Sequence, residues 1–265
     1  GLIYGHFLAQ LILLLMYLYF LREFLFTKRV YPKKIFRHIF YKYFNFVRFG
    51  LASLLINNLS RQLPIFFLFV LFSAEISGMY ALSYMVLAAP IGLLASNVYS
   101  VTLSRISTFK DENILNSFSR DITLLLFYIS LPIFLIFCFF GESLFTIIFG
   151  NEWAIAGKFA QILSPMLFIV LVVTPLTSVF QLYDKLHIEF KFQVLLLFSR
   201  FLSILIGFYF ESFYLAILLF SSSGFLLWFF HFKTILNIVG TNINYLRACI
   251  PTVLFLILIG ASLLC

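Results

Sequence analysis

Eight runs of mainly apolar residues constrain this chain more than any other feature of it. They cover approximately residues 1–21, 46–73, 78–103, 122–140, 159–180, 192–210, 213–232 and 248–265. A helix needs roughly 20 such residues to cross a bilayer. No water reaches the hydrocarbon to satisfy a bare N–H or C=O, so a spanning segment is either a helix or a strand of a closed barrel. Barrel strands alternate apolar and polar residues at a period of two. These runs are continuously apolar, which predicts helices. The expected fold is therefore all-α, a polytopic transmembrane bundle of about eight spans.

Composition closes the soluble alternative. Of the 265 residues, 63% are hydrophobic and 11% charged, with a mean hydropathy of +1.08. Ordinary globular domains hold about 45–50% apolar and about 25% charged residues. A single core of this size would have too little polar surface to cover it. Thirty-eight Phe and fourteen Tyr suit lipid contact and interfacial anchoring.

The net charge of +8 does not point to nucleic acid, because the basic residues sit between the apolar runs. The first connection carries Arg22, Lys28, Arg29, Lys33, Lys34, Arg37, Lys42 and Arg48. The next, around Glu75, carries none. Arg105, Lys110 and Arg120 follow, then a connection with Glu142, Glu152 and the single Lys158. Lys185 and Lys191 come next, then Glu211 alone, then Lys233 and Arg247. Basic and non-basic connections alternate throughout, with fifteen of the eighteen basic residues on one side. By the positive-inside tendency that side is cytoplasmic, next to anionic lipid. Gly1 then begins outside. Its apolar run has no basic leader and no cleavage site, so it does not resemble a signal peptide, and the chain is expected to be a piece lacking its N-terminal part. Residues 33–48 are predicted to form an amphipathic helix in the inner interface. Ile35, Phe36, Ile39, Phe40, Tyr43, Phe44 and Val47 lie on one face, with Lys34, Arg37, His38, Lys42 and Asn45 on the other. Prolines 64, 90, 132, 165, 175 and 251 fall within or at the ends of spans, where they mark kinks.

No catalytic set emerges. His6, His38, His187 and His231 are scattered at or near span ends, and HExxH, Walker and GxSxG patterns are absent. Cys138, Cys249 and Cys265 lack CxxC spacing and are expected to be small buried hydrophobes. The expectation is a transporter rather than an enzyme, with no catalytic residue, metal or cofactor.

What remains is polarity inside the membrane. In the second span Asn57, Asn58 and Arg61 share a helix face, with Gln62 beside it. In the sixth, Gln193, Arg200, Ser203 and Gly207 form a stripe, with Arg200 about nine residues into its helix. An arginine at the bilayer centre costs about 2.5–3.5 kcal/mol on insertion scales. No acid lies deep in these spans. Two cations facing a wet cavity would attract an anion, best a phosphate or pyrophosphate that a guanidinium grips with two hydrogen bonds. Arg61, Arg200, Asn57, Asn58, Gln62, Gln193 and Ser203 are thus the candidate cavity residues. For Arg61 the alternatives are snorkelling to the interface or pairing with an acid elsewhere. Asn97, Ser100, Gln161 and Ser164 are better suited to helix–helix hydrogen bonds.

Two stretches carry a resemblance. Between Tyr43 and Arg105 lie "RQLP", "SGMYALSY" and a P-x-x-L helix. Between Phe149 and Arg200 lie FG-x-x-W-x-x-AG, "ILSP", "TPL" and FQ…R. Together they cover somewhat under half the chain and resemble polysaccharide flippases of the Wzx type, in the MOP exporter superfamily. The resemblance implies two six-helix lobes around a cavity, as in MATE-like transporters. Residues 1–21 would end the first lobe, 22–45 form a basic cytoplasmic linker, 46–232 the second lobe, and 233–265 a loop and an additional span. It also implies a bacterial inner-membrane protein. Such a protein would move undecaprenyl-pyrophosphate-linked oligosaccharide between leaflets by alternating access, in company with a polysaccharide polymerase and chain-length machinery. Two alternatives stay open: an integral-membrane glycan polymerase or glycosyltransferase, which would need a sizeable polar loop, and a multidrug exporter of the same superfamily.

The alternation of charged connections generates a direct test. In a bacterial host, a reporter active only outside the cytoplasm should be active when fused after Glu142 or Glu211. Fused after Arg120 or Lys191, it should be silent. Equal activity at Arg120 and Glu142 would break the span count.

Overall fold

A computed structural model describes residues 2–26, 37, 44, 46–108 and 112–240. The eighth apolar run, and all of the predicted amphipathic linker except Arg37, Phe44 and residues 46–48, lie outside the described residues. So do Cys249 and Cys265.

The described residues are helical almost throughout. The elements are α1 (Leu2–Phe26), α2 (Ala52–Leu71), α3 (Ala74–Thr108), α4 (Glu112–Phe149), α5 (Ala154–Val173), α6 (Ser178–Leu182), α7 (Leu186–Tyr209) and α8 (Phe213–Val239). A π-helical turn, Phe46–Leu51, leads into α2. Short 3-10 turns at Asn151–Trp153 and Thr174–Thr177 flank α5. Among the described residues seven helical stretches are long and apolar enough to cross a membrane. The chain is an all-α, multi-pass membrane protein.

Its contacts divide it into two units, residues 1–44 and 45–265. In the first, α1 is apolar on every face, the composition of a helix whose solvent is lipid. Near its end the Arg22 guanidinium lies 4.5 Å from the Tyr19 ring centroid, an aromatic–cation pair suited to the membrane interface.

In the second unit α2, α3, α5, α8 and α7 pack in sequence around a closed ring, each against the next, and α4 lies along the outer side of α5. The centre of this arrangement is α5, whose residues are buried along most of its length. Hydrocarbon gives apolar side chains little reason to leave it, so helices in a bilayer associate through close backbone approach and interhelical hydrogen bonds. Both devices recur here. On α4 and α5, Gly141 and Gly157 meet face to face; a Cβ on Gly157 would collide with the backbone of Gly141 and Glu142. On α7, Gly207 presses against the Ala216 backbone of α8. The hydroxyl of Ser83 donates to the Ala156 carbonyl and that of Ser221 to the Ile162 carbonyl, both at 2.6 Å, tying α3 and α8 to α5. The Ser77 hydroxyl donates to the Ile65 carbonyl at 2.7 Å, tying α3 to α2. The Gln161 amide donates to the Phe139 carbonyl at 3.3 Å, bridging α5 to α4 as its residue type suggested. Ser164 instead donates to Gln161, four residues before Pro165. It thereby satisfies the carbonyl that proline leaves without its usual partner. Asn97 likewise turns back on its own helix, donating to Leu93.

Several boundaries differ from the sequence expectation. The connection predicted over 141–158 is mostly helix, because α4 continues to Phe149. Its 38 residues reach about 57 Å, well beyond the hydrocarbon thickness. The span predicted over 159–180 is broken at Thr174–Thr177, where Pro175 cannot donate to the ladder. The Thr174 and Thr177 hydroxyls take up nearby carbonyls, those of Val170 and Thr174. Finally, α7 begins at Leu186 rather than 192, and α8 runs on to Val239, where Gly240 adopts the left-handed cap.

The glycine contacts differ sharply in their tolerance. Gly157→Val should cost at least about 1–3 kcal/mol through overpacking. Gly78→Val, where nothing lies within 4 Å of an added Cβ, should be close to neutral. Thermal unfolding in detergent would separate them, and equal midpoints would contradict the packing described.

Candidate functional site

The stripe predicted on the sixth span is a buried face. Gln193, Arg200, Ser203 and Gly207 all point inward from α7. Because α7 starts six residues early, Arg200 sits 14 residues from its beginning, about 21 Å along an axis of about 36 Å. That places it slightly beyond the middle of the span.

Arg200 is 5% exposed. Its Nη1 donates to the Ser60 hydroxyl of α2 at 2.8 Å. Its guanidinium carbon lies 5.4 Å from the centroid of the Phe220 ring of α8. Tyr80 and Tyr84 of α3 lie within electrostatic reach, as does Arg61, whose charge opposes that of Arg200. Tyr80 is itself fully buried, stacked on Tyr84 and edge-on to Phe220. Four elements of the ring thus surround one cation. No carboxylate pairs with it among the described residues, and its Nε is buried without a hydrogen-bond partner. A guanidinium carries five N–H donors. One neutral hydroxyl and one aromatic face repay only part of the several kcal/mol that burying an ion costs. The guanidinium thus keeps at least one N–H donor without a partner among the described residues.

The α2 candidates fall differently. The inward face of α2 is made by Ser53, Ser60, Pro64 and Leu68. Asn57 is half-buried at its edge, while Asn58, Arg61 and Gln62 are exposed. Arg61 thus lies within electrostatic reach of Arg200, with its side chain on an open surface of the second unit. Ser203 donates to its own helix at Ser199, 2.8 Å, and its hydroxyl lies 3.3 Å from that of Ser223 on α8.

Gln193 leads to a group that residue reading missed. Its amide donates to Glu189 Oε1 at 2.7 Å. Glu189 Oε2 lies 2.9 Å from His231 Nε2 on α8. His231 is buried, not at a span end, because α8 continues two turns beyond it. An acid therefore does contact the polar stripe of α7. It escaped notice because the helix was expected to start after it; the available signal was the i, i+4 spacing of Glu189 and Gln193. Ser60 was missed for want of any signal, since a lone serine on an apolar helix is ordinary. Among the described residues no three His, Cys, Asp or Glu gather into a metal-binding group.

Fold and site together define a multi-pass helical membrane protein with a buried cation inside a helix ring and no carboxylate paired with it among the described residues. The profile of the polysaccharide biosynthesis protein family matches residues 1–158, more than half the chain, and the chain belongs to that family. The match takes in α1 to α4 and with them Arg61; Arg200, Glu189 and His231 lie beyond it. No curated protein and no solved structure matches the chain.

The Arg200 environment sets up a contrast. Ser60→Ala removes the single hydrogen bond to a buried charge and should cost about 1.5–3 kcal/mol. Arg200→Met, which replaces the charge with an apolar chain of similar length, should be neutral or stabilising. Unfolding midpoints of the two variants would test this. A stabilising Ser60→Ala would mean that the hydroxyl is not a partner.

Proposed function

We propose that this protein is a transporter that carries a lipid-linked, phosphate-bearing oligosaccharide across a bacterial inner membrane by alternating access. The reading is supported by its family, its multi-pass helical fold and, above all, the buried guanidinium of Arg200, which pairs with no acid among the described residues. A glycan and its pyrophosphate link cannot enter hydrocarbon without losing their hydration. A guanidinium with free donors replaces part of that hydration, because it binds phosphate oxygens in pairs. Arg61 opposes Arg200 electrostatically, and an anion between them would relieve that opposition. Asn57, Asn58 and Gln62 on α2 would supply amide contacts to sugar, while Gln193 and Ser203 on α7 keep their contacts with Glu189 and Ser223. The lipid tail would remain in the bilayer throughout. A glycan polymerase would need an extramembrane constellation of acids or bases. The connections that the structure describes are short: residues 72–73 between α2 and α3, and 210–212 between α7 and α8.

The test is surface glycan display in cells that depend on the full-length protein. Arg200→Ala and Arg61→Ala should each reduce display by at least about tenfold, equivalent to about 1.4 kcal/mol of lost stabilisation, while protein levels in the membrane stay at wild-type values. Full display by the double variant would remove the anion role. Glycan polymerisation by purified protein would support the enzymatic alternative instead.

A further inference from the structure

We infer that Glu189 and His231 form a proton-binding latch that closes one end of the α7–α8 hairpin, whose other end is held by the Gly207–Ala216 contact. The hairpin turns at Phe210 to Ser212, where Glu211 adopts a positive φ of 52° and the Ser212 hydroxyl caps α8 by accepting from Leu215. Immediately beside this three-residue turn, which holds the two helices together, Gly207 lies in close contact with the Ala216 backbone, with no room for further approach. Eighteen residues away, about 27 Å along α7, the two helices are joined by the 2.9 Å bond between His231 Nε2 and Glu189 Oε2. One end is a backbone contact that solvent cannot alter. The other is an acid–base contact that a proton can.

The chemistry of the latch follows from its surroundings. Gln193 occupies the other carboxylate oxygen at 2.7 Å and so orients the group towards α8. The His231 ring lies parallel to Phe192, 3.7 Å between centroids at 8°, with Phe180 on stacking terms at 4.9 Å and 22°. Trp228 meets it edge-on. With a neutral imidazole the pair carries a net charge of −1 in a largely apolar site. When one proton is taken up on the imidazole, the pair becomes a neutral Glu⁻–His⁺ couple. Its hydrogen bond is then charge-assisted on both sides and roughly twice as strong as a neutral one, and the two phenyl faces attract the imidazolium. Proton uptake therefore tightens the latch, and proton loss leaves a buried negative charge that favours separation. The His231 side chain is 2% exposed and that of Glu189 15%, so the carboxylate is the more accessible member of the pair.

The charged groups around the pair do not replace its proton. From α3, Tyr99 lies within electrostatic reach of Glu189, and its hydroxyl is held by Gln181 at 3.2 Å. Just before α7, Asp184 is exposed and Lys185 half-buried; on α7, His187 and Lys191 are exposed, and on α8, Lys233 is exposed. Arg48, preceding α2, is exposed and lies over Phe49. Arg120 and Asp121 on α4 are exposed, and Lys158, the one charged residue of α5, pairs with Glu142 near the opposite end of that helix. The turn before α6 and α6 itself contain no acid or base. Arg200 lies on α7 between latch and pivot, so a tilt that follows latch opening displaces its guanidinium relative to Ser60 and Phe220. That last link rests on the anion reading of Arg200 above; the latch does not.

Hydrogen–deuterium exchange of the purified full chain in detergent, without substrate, tests the latch. Rates would be compared at about pH 5.5 and about pH 8, either side of the usual imidazole range, after correction for intrinsic exchange. Peptides from residues 186–196 and 228–239 should exchange at least about threefold faster at the higher pH, as expected of local opening. Peptides around Gly141 and Gly157 should not change. Glu189→Gln and His231→Gln should abolish the pH response. Equal corrected rates at both pH values in the unaltered protein would overturn the latch, whatever the variants do. So would a His231→Gln protein that keeps the full response. Neither result touches glycan display, so the latch and the transport reading fail separately.

Discussion

The hydrocarbon core of a bilayer offers no hydrogen bonds, and this requirement governs the whole protein. Every backbone N–H and C=O in the span must find a partner within the chain. Helices answer that demand locally, which is why seven stretches of the described residues are helical over a length adequate to span. The demand reappears wherever the ladder is interrupted. At Pro165 the freed carbonyl of Gln161 is taken by the Ser164 hydroxyl, and around Pro175 two threonines and Ser178 do similar work for neighbouring carbonyls. Interruption is tolerated because small hydroxyl side chains sit beside it.

The same constraint shapes how the helices assemble. Lipid is as apolar as leucine, so burial alone gives little reason for association. Ser83 and Ser221 each reach across to carbonyls of α5, and the Gly141–Gly157 and Gly207–Ala216 contacts bring backbones together. The centrality of α5 follows from both: it receives hydroxyls from two helices and a glycine contact from a third. Its position then defines the ring in which α2, α3, α7 and α8 face one another.

Within that ring one charge breaks the apolar rule. Arg200 is held by a serine from α2 and an aromatic face from α8, with two tyrosines of α3 nearby. In a medium that penalises charge, this guanidinium keeps an unpartnered Nε and meets no acid among the described residues. The Glu189–His231 pair is the complementary case: a charge that is partnered, but by a group able to gain or lose a proton. Both sit on α7, and both contact α8, so that hairpin joins them.

The helical class and membrane setting were legible in the residues, since apolar runs of span length admit only one local solution in lipid. The inward stripe of Gln193, Arg200, Ser203 and Gly207 was equally legible, because helical periodicity alone puts those four on one face. What the stripe meets was not. Which helix supplies Ser60, why His231 is internal rather than terminal, and which carbonyls accept Ser83 and Ser221 depend on how helices with near-equivalent apolar surfaces dock. Helix ends were misjudged for a related reason: hydropathy ignores where a helix leaves the lipid, so α4 and α7 proved longer than their apolar stretches. Hydrogen bonding within each segment is a property of the chain in its solvent and can be deduced one helix at a time. The partners of a serine, a histidine or an arginine belong to the assembly, and only the packed helices decided them.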